Sequence, residues 1–83
     1  MGSKTFDGVW FISYSNDHPP PHVHGKYAGV IVLVEFVDGT VRLAQRTKPV
    51  RPANAKRSHV NHVLLTATMH ADELLEIWRI AHG

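Results

Sequence analysis

The chain predicts an α+β fold, an antiparallel β-meander of three to four strands packed against one or two C-terminal helices. Three observations carry this expectation. The first half is built from short β-branched and aromatic runs, Val9 to Ser15 and Val30 to Val37 among them. Asp38-Gly39 separates two such runs, a strong hairpin signal because a type I′ turn needs φ > 0 at both central positions. The second half carries an apolar stripe of 3.6 period through Val60, Val63, Leu64, Ala67, Ala71, Leu74, Leu75 and Trp78.

Taken in order, Phe6-Asp7-Gly8 reads as an opening turn before a strand over about 8–15. Val9, Phe11 and Ser13 face one side of it, Trp10, Ile12 and Tyr14 the other. Both sides begin apolar, so this strand is expected to be central or covered on both faces. A second extended segment covers about 22–37, with a bend or bulge at Ala28-Gly29. After Asp38-Gly39 a half-exposed outer strand runs over about 40–45, with Val41 and Leu43 on one side and Arg42 and Ala44 on the other. Gln45 to Asn54 has two prolines and three basic residues and reads as an ordered loop. Helix follows over about 55–81, with Ser58 or Asn54 as its N-terminal cap and Gly83 at its end. Thr66, Thr68 and His70 lower helix propensity in its middle, which leaves one long helix and two helices meeting near His70 both open. The 83 residues form a single domain over 1–83, close to the size at which one core is marginal, so homodimerisation would help.

Composition excludes several chemistries. There is no cysteine, hence no disulfide and no thiolate nucleophile, and a metal would have to be held by imidazole, carboxylate or backbone oxygen. The longest apolar run, Val30 to Val34, is far too short to cross a bilayer, so no membrane role is expected. No basic segment followed by an apolar one opens the chain, and the expected location is cytoplasmic.

Histidine and proline crowd the stretch His18-Pro19-Pro20-Pro21-His22-Val23-His24. Three prolines predict a stiff polyproline II rod, which would hold His18 and His22 roughly 12 Å apart. At strand spacing His22 and His24 share one face roughly 7 Å apart, close enough to hold a divalent metal such as zinc between them. A third ligand would come from His18, His62, His59, Asp17 or Glu35. The favoured reading is structural, with His22 and His24 orienting the join between rod and sheet. Metal binding comes second, and acid–base catalysis third, since no nucleophile or second carboxylate accompanies the pair. His59 and His62, three residues apart on the helix, read as polar residues flanking Val60 and Val63.

Charge is the other uneven feature. The net charge is only +2, yet Thr40 to Ala71 contains no acidic residue and holds Arg42, Arg46, Lys48, Arg51, Lys56 and Arg57. Cations are disfavoured at a helix N-terminus, so Lys56-Arg57 before Ser58 suggests an anion site of free N–H groups, hydroxyl and two cations. Together with Arg46, Lys48 and Arg51 this could be a nucleic-acid backbone surface or a contact for an acidic protein partner. No aromatic residue interleaves these cations along the chain, which argues against stacked single-stranded binding.

Tyr14-Ser15-Asn16-Asp17-His18-Pro19-Pro20-Pro21-His22-Val23-His24, Asn54-Ala55-Lys56-Arg57-Ser58 and His70 to Trp78 together resemble a family of small bacterial proteins, domain of unknown function 4160. The Pro-Pro-His-x-His core is the specific part, and Glu73-Leu74-Leu75-Glu76-Ile77-Trp78 a helical one. The resemblance covers nearly the whole chain and implies a partner in a two-gene, toxin–antitoxin-type operon. The resulting expectation is a small non-enzymatic regulatory or interaction protein, bacterial or phage-borne. It would bind a macromolecule, either an operon-partner protein or nucleic acid, and a phage-borne inhibitor belongs to the same class. The alternative is a metal-dependent enzyme of small-nuclease type with His22 and His24 at its site.

Overall fold

The computed structural model describes residues 2–14, 19–46 and 48–82. Within them the order is β1 (Gly2–Phe6), β2 (Val9–Ser13), β3 (His22–Tyr27), β4 (Val30–Val37), β5 (Thr40–Leu43), β6 (Val50–Arg51), α1 (Arg57–Met69) and α2 (Ala71–His82). The fold is α+β, with one antiparallel sheet ordered β1-β2-β3-β4-β5 and β6 paired to β4. The expected count of three to four strands is corrected to six among the described residues.

Three turns of one kind build the meander. Asp7-Gly8, Ala28-Gly29 and Asp38-Gly39 each place a small or polar residue at φ 49–52° before a glycine at 76–78°. Two successive residues at positive φ are what a tight hairpin of right-handed twist demands. The bend expected at Ala28-Gly29 is therefore a full reversal, which divides the 22–37 segment into β3 and β4. The turn at Asp7-Gly8 likewise joins β2 to a strand before it. β5 is followed by residues 44–49, and β6 then returns to the same edge of β4.

Period-2 alternation gives the sheet one face of Val9, Phe11, Val23, Val30, Val32, Val34 and Phe36, packed beneath Val63, Ala67, Leu74 and Ile77. α1 lies over β3, β4 and β5, and α2 over β1, β2 and β3. Gly25 allows α1 to come close: a Cβ there would stand 2.6 Å from Val63 Cγ1 and 3.1 Å from Phe11 Cε1. β2 is an interior strand, but the helices cover only its Val9–Phe11 side, and Trp10 on the other side is 41% exposed.

The helical stripe divides at His70, one residue between two helices. Its N–H donates to the Thr66 and Ala67 carbonyls, ending α1, and its carbonyl accepts the Leu74 N–H, beginning α2. The start of α1 corrects the capping expectation. Lys56 is the N-cap and makes no side-chain capping bond, because the helix begins at Arg57 and Ser58 falls inside the first turn. Gly83 lies outside the described residues, and there the last turn is closed by His82 Nδ1–H donating to the Trp78 carbonyl at 2.9 Å. Among the described residues no helix is long and apolar enough to cross a membrane.

Candidate functional site

Residues directly opposite one another in adjacent strands share a face, so the register reads out the side of the sheet opposite the Val9, Phe11 and Val23 core. Trp10, Lys26, Ile31 and Arg51 form one row across β2, β3, β4 and β6. Ile12, His24 and Leu33 form the next, and His22, Glu35 and Arg42 the third. Residues 44–46 and 48–49 lie beside these rows. Leu33 holds both ends of this loop, its carbonyl accepting the Ala44 N–H at 2.9 Å and its N–H donating to the Pro49 carbonyl at 2.8 Å.

That loop and the rows enclose a cavity of about 440 Å³. Ile31 and Leu33 give it aliphatic surface, Tyr14 and His24 aromatic surface, and Lys26, Arg46, Lys48 and Arg51 positive charge. Among the described residues no acidic side chain lines it. Lys26 Nζ lies 4.9 Å from the centre of the Trp10 ring, which places the exposed indole just beyond the cavity. Among the described residues Lys48 and Arg51 make no ion pair.

Glu35 is the acid closest to this surface in the sheet register, and it is 3% exposed. Its Oε1 takes Arg42 Nε at 3.3 Å and its Oε2 faces Arg46 Nε at 3.5 Å. A buried carboxylate is stable only with such partners, so Glu35 fixes the base of the loop at Arg46.

His22 is buried at 1% exposure, with Nδ1 2.9 Å from the Pro20 carbonyl and 3.3 Å from an Arg46 nitrogen. A carbonyl only accepts, so the shorter contact makes Nδ1 an N–H donor and the Arg46 approach a packing contact rather than a second hydrogen bond. Around it stand His24, with ring centres 5.7 Å apart, and Trp78 of α2 at 5.2 Å. The Pro19–Pro20 peptide is cis, and residues 19–20 bend where a straight rod is expected from sequence. His24 turns towards Tyr14, edge to face at 5.0 Å.

The other expected ligands are elsewhere. His62 Nε2–H donates to the Asp7 carbonyl at 2.9 Å and its ring lies 4.3 Å from Tyr27, at the opposite end of β3 from His22. His59 meets the same tyrosine edge to face at 5.6 Å. His18 and Asp17 lie outside the described residues. Among the described residues no three His, Asp or Glu side chains converge as a metal site would require.

The six residues expected to contact an anion fall into two groups. Arg46, Lys48 and Arg51 line the cavity; Lys56, Arg57 and Ser58 are exposed at the start of α1. Arg57 borders a separate apolar groove of about 430 Å³, which shares Val50 and Ala53 with the surface carrying Lys48 and Arg51. Reading along the chain missed Trp10, Tyr14 and Lys26. The absence of interleaved aromatics holds along the sequence and fails in space, because β2 brings Trp10 and Tyr14 beside cations from β3 and the loop. The signal was the Ala28-Gly29 turn together with strand parity, which put Lys26 and His24 on one face.

A family model described as domain of unknown function (DUF4160) matches residues 8–79. The chain belongs to the DUF4160 family. The matched span holds every residue of the three rows and of the cavity, and leaves out β1 and the last residues of α2. No match was found to a curated protein or to a solved structure.

Proposed function

We propose that this DUF4160 protein is a non-enzymatic binding module that engages the backbone of a nucleic acid through the open face of its sheet. The observation that carries the reading is the cavity in which Lys26, Arg46, Lys48 and Arg51 converge, with no acid among the described residues of its lining. Arg46 is already paired with Glu35, so Lys26, Lys48 and Arg51 carry most of the potential that attracts polyanions, and each phosphate neutralised releases condensed counterions. The surface continues past Val50 and Ala53 to Arg57 and so towards Lys56, extending the basic track around the sheet edge.

Anisotropy titration of a labelled oligonucleotide at several salt concentrations tests this. Affinity should fall steeply with salt, and Lys48→Glu and Arg51→Glu should each lower the salt slope by about 1. Salt-independent binding, or no binding, would overturn the reading. An acidic protein partner, including an operon-partner protein, replaces nucleic acid as the occupant if one protein is bound tightly through Lys48 and Arg51 and no oligonucleotide is. Degradation of the oligonucleotide that stops on chelation and in His22→Ala would replace it with a metal-dependent nuclease.

A further inference from the structure

We infer that the open face selects single-stranded over double-stranded nucleic acid, with the Trp10 indole as its stacking platform. This rests on the reading of that face as a nucleic-acid surface and adds which form of nucleic acid it takes. Trp10 is interior to the sheet, yet 41% of it is exposed, because its cross-strand neighbours are Thr5 and the flexible Lys26. Along its row an aromatic ring, a cation, an aliphatic residue and a second cation follow one another at roughly 5 Å per strand. A base laid on Trp10 therefore carries its phosphate towards Lys26, and the strand beyond it runs towards Lys48 and Arg51.

Bases in a duplex are stacked on one another and cannot lie on an indole; unpaired bases can, whatever their sequence. Tyr14, one residue past the end of β2, lines the cavity and gives the nucleic-acid strand a second aromatic wall. In the free protein the Lys26 ammonium lies over the indole, and a base that stacks there displaces it from the ring towards the phosphate.

Two tryptophans make the test direct, since Trp78 is 7% exposed and Trp10 is not shielded. Oligothymidylate, oligouridylate and a mixed-sequence duplex of equal length are titrated against the full chain while tryptophan emission is followed. The expected result is single-strand binding at least tenfold tighter than duplex binding, with quenching that disappears in Trp10→Phe. Trp10→Ala should lose roughly tenfold or more on single strands and little on the duplex, while Trp10→Phe keeps most of the affinity. Equal affinity for strand and duplex, with Trp10→Ala unchanged, overturns this inference and leaves the polyanion reading standing. Failure to bind either form overturns both. Because Trp10 is a surface residue, Trp10→Ala should fold as the wild type does, and far-ultraviolet circular dichroism verifies it.

Discussion

On the covered face of the sheet, alternate residues of β2, β3 and β4 are Val9, Phe11, Val23, Val32 and Val34, all at 0% exposure. The residues between them on the same strands include Trp10 and Lys26, on the open face. His22 and Glu35 share its parity but are buried, at 1% and 3% exposure. One set of strands thus carries two surfaces of opposite chemistry, and the difference lies in what holds each together. The covered face coheres by apolar burial under two helices. The open face coheres by a buried carboxylate shared between two arginines and by rings packed edge to face. The histidines follow the same division: His59 and His62 serve the covered side by packing on Tyr27, while His22 and His24 belong to the other.

The largest effect should come from breaking the covered face. Leu74→Ala empties a fully buried position and should cost about 2–5 kcal/mol, read as a lowered urea midpoint with unchanged slope. Ile31→Ala, half-buried on the open face, should cost about 1 kcal/mol. Equal losses would mean that the open face is also a packed core. Next comes Glu35→Gln, which leaves Arg42 and Arg46 facing a neutral amide and should cost about 1.5–3 kcal/mol. Combined with Arg42→Ala, it should be less than additive, and additivity would show the pair to be uncoupled. Gly25→Ala sharpens the comparison from the covered side. Its methyl would press on Val63 and Phe11, costing about 1–3 kcal/mol, and oligonucleotide affinity should stay unchanged because that side chain points away from the cavity.

How much of this was legible in the sequence depends on range. The hairpin at Asp38-Gly39 and the apolar stripe are local signals, and the structure has both. The sequence leaves one helix or two open, and the structure divides the stripe at His70. β1 was missed because Gly2-Ser3-Lys4-Thr5-Phe6 is polar and exposed, and an edge strand paired on one side needs no apolar face. β6 was missed because it is two residues set between prolines, held by Ile31 and Val32 rather than by its own propensity. The open face was illegible for a related reason. Its aromatic, its cations and its carboxylate come from five separate segments, and only cross-strand register assembles them. The basic loop and the tri-proline stretch each read as a feature in its own right; in space both bear on His22, through Arg46 and the Pro20 carbonyl.

The smallest effect concerns the joint between the helices, where the covered side uses a charge of its own. His70 stacks on Phe6 with ring centres 3.8 Å apart, and its Nδ1–H donates to Glu73 Oε2 at 2.8 Å. That hydrogen bond, with the nearby His70 and Lys4 charges assisting, holds the Glu73 carboxyl below its ordinary value of 4.5. A depressed carboxyl pKa means the unfolded chain binds the proton more tightly than the folded one, so stability rises with pH across the interval between the two values. The contribution is complete above 4.5 and fades as pH falls towards the lowered folded-state value. Urea midpoints of wild type and Glu73→Gln should therefore differ at about pH 6, and the difference should shrink as the pH is lowered below 4.5. The difference should be small, because Glu73 sits in solvent that screens it. If the two proteins track one another across that range, His70 is held by the Phe6 stack alone, and apolar contact suffices at the joint as it does across the rest of that face.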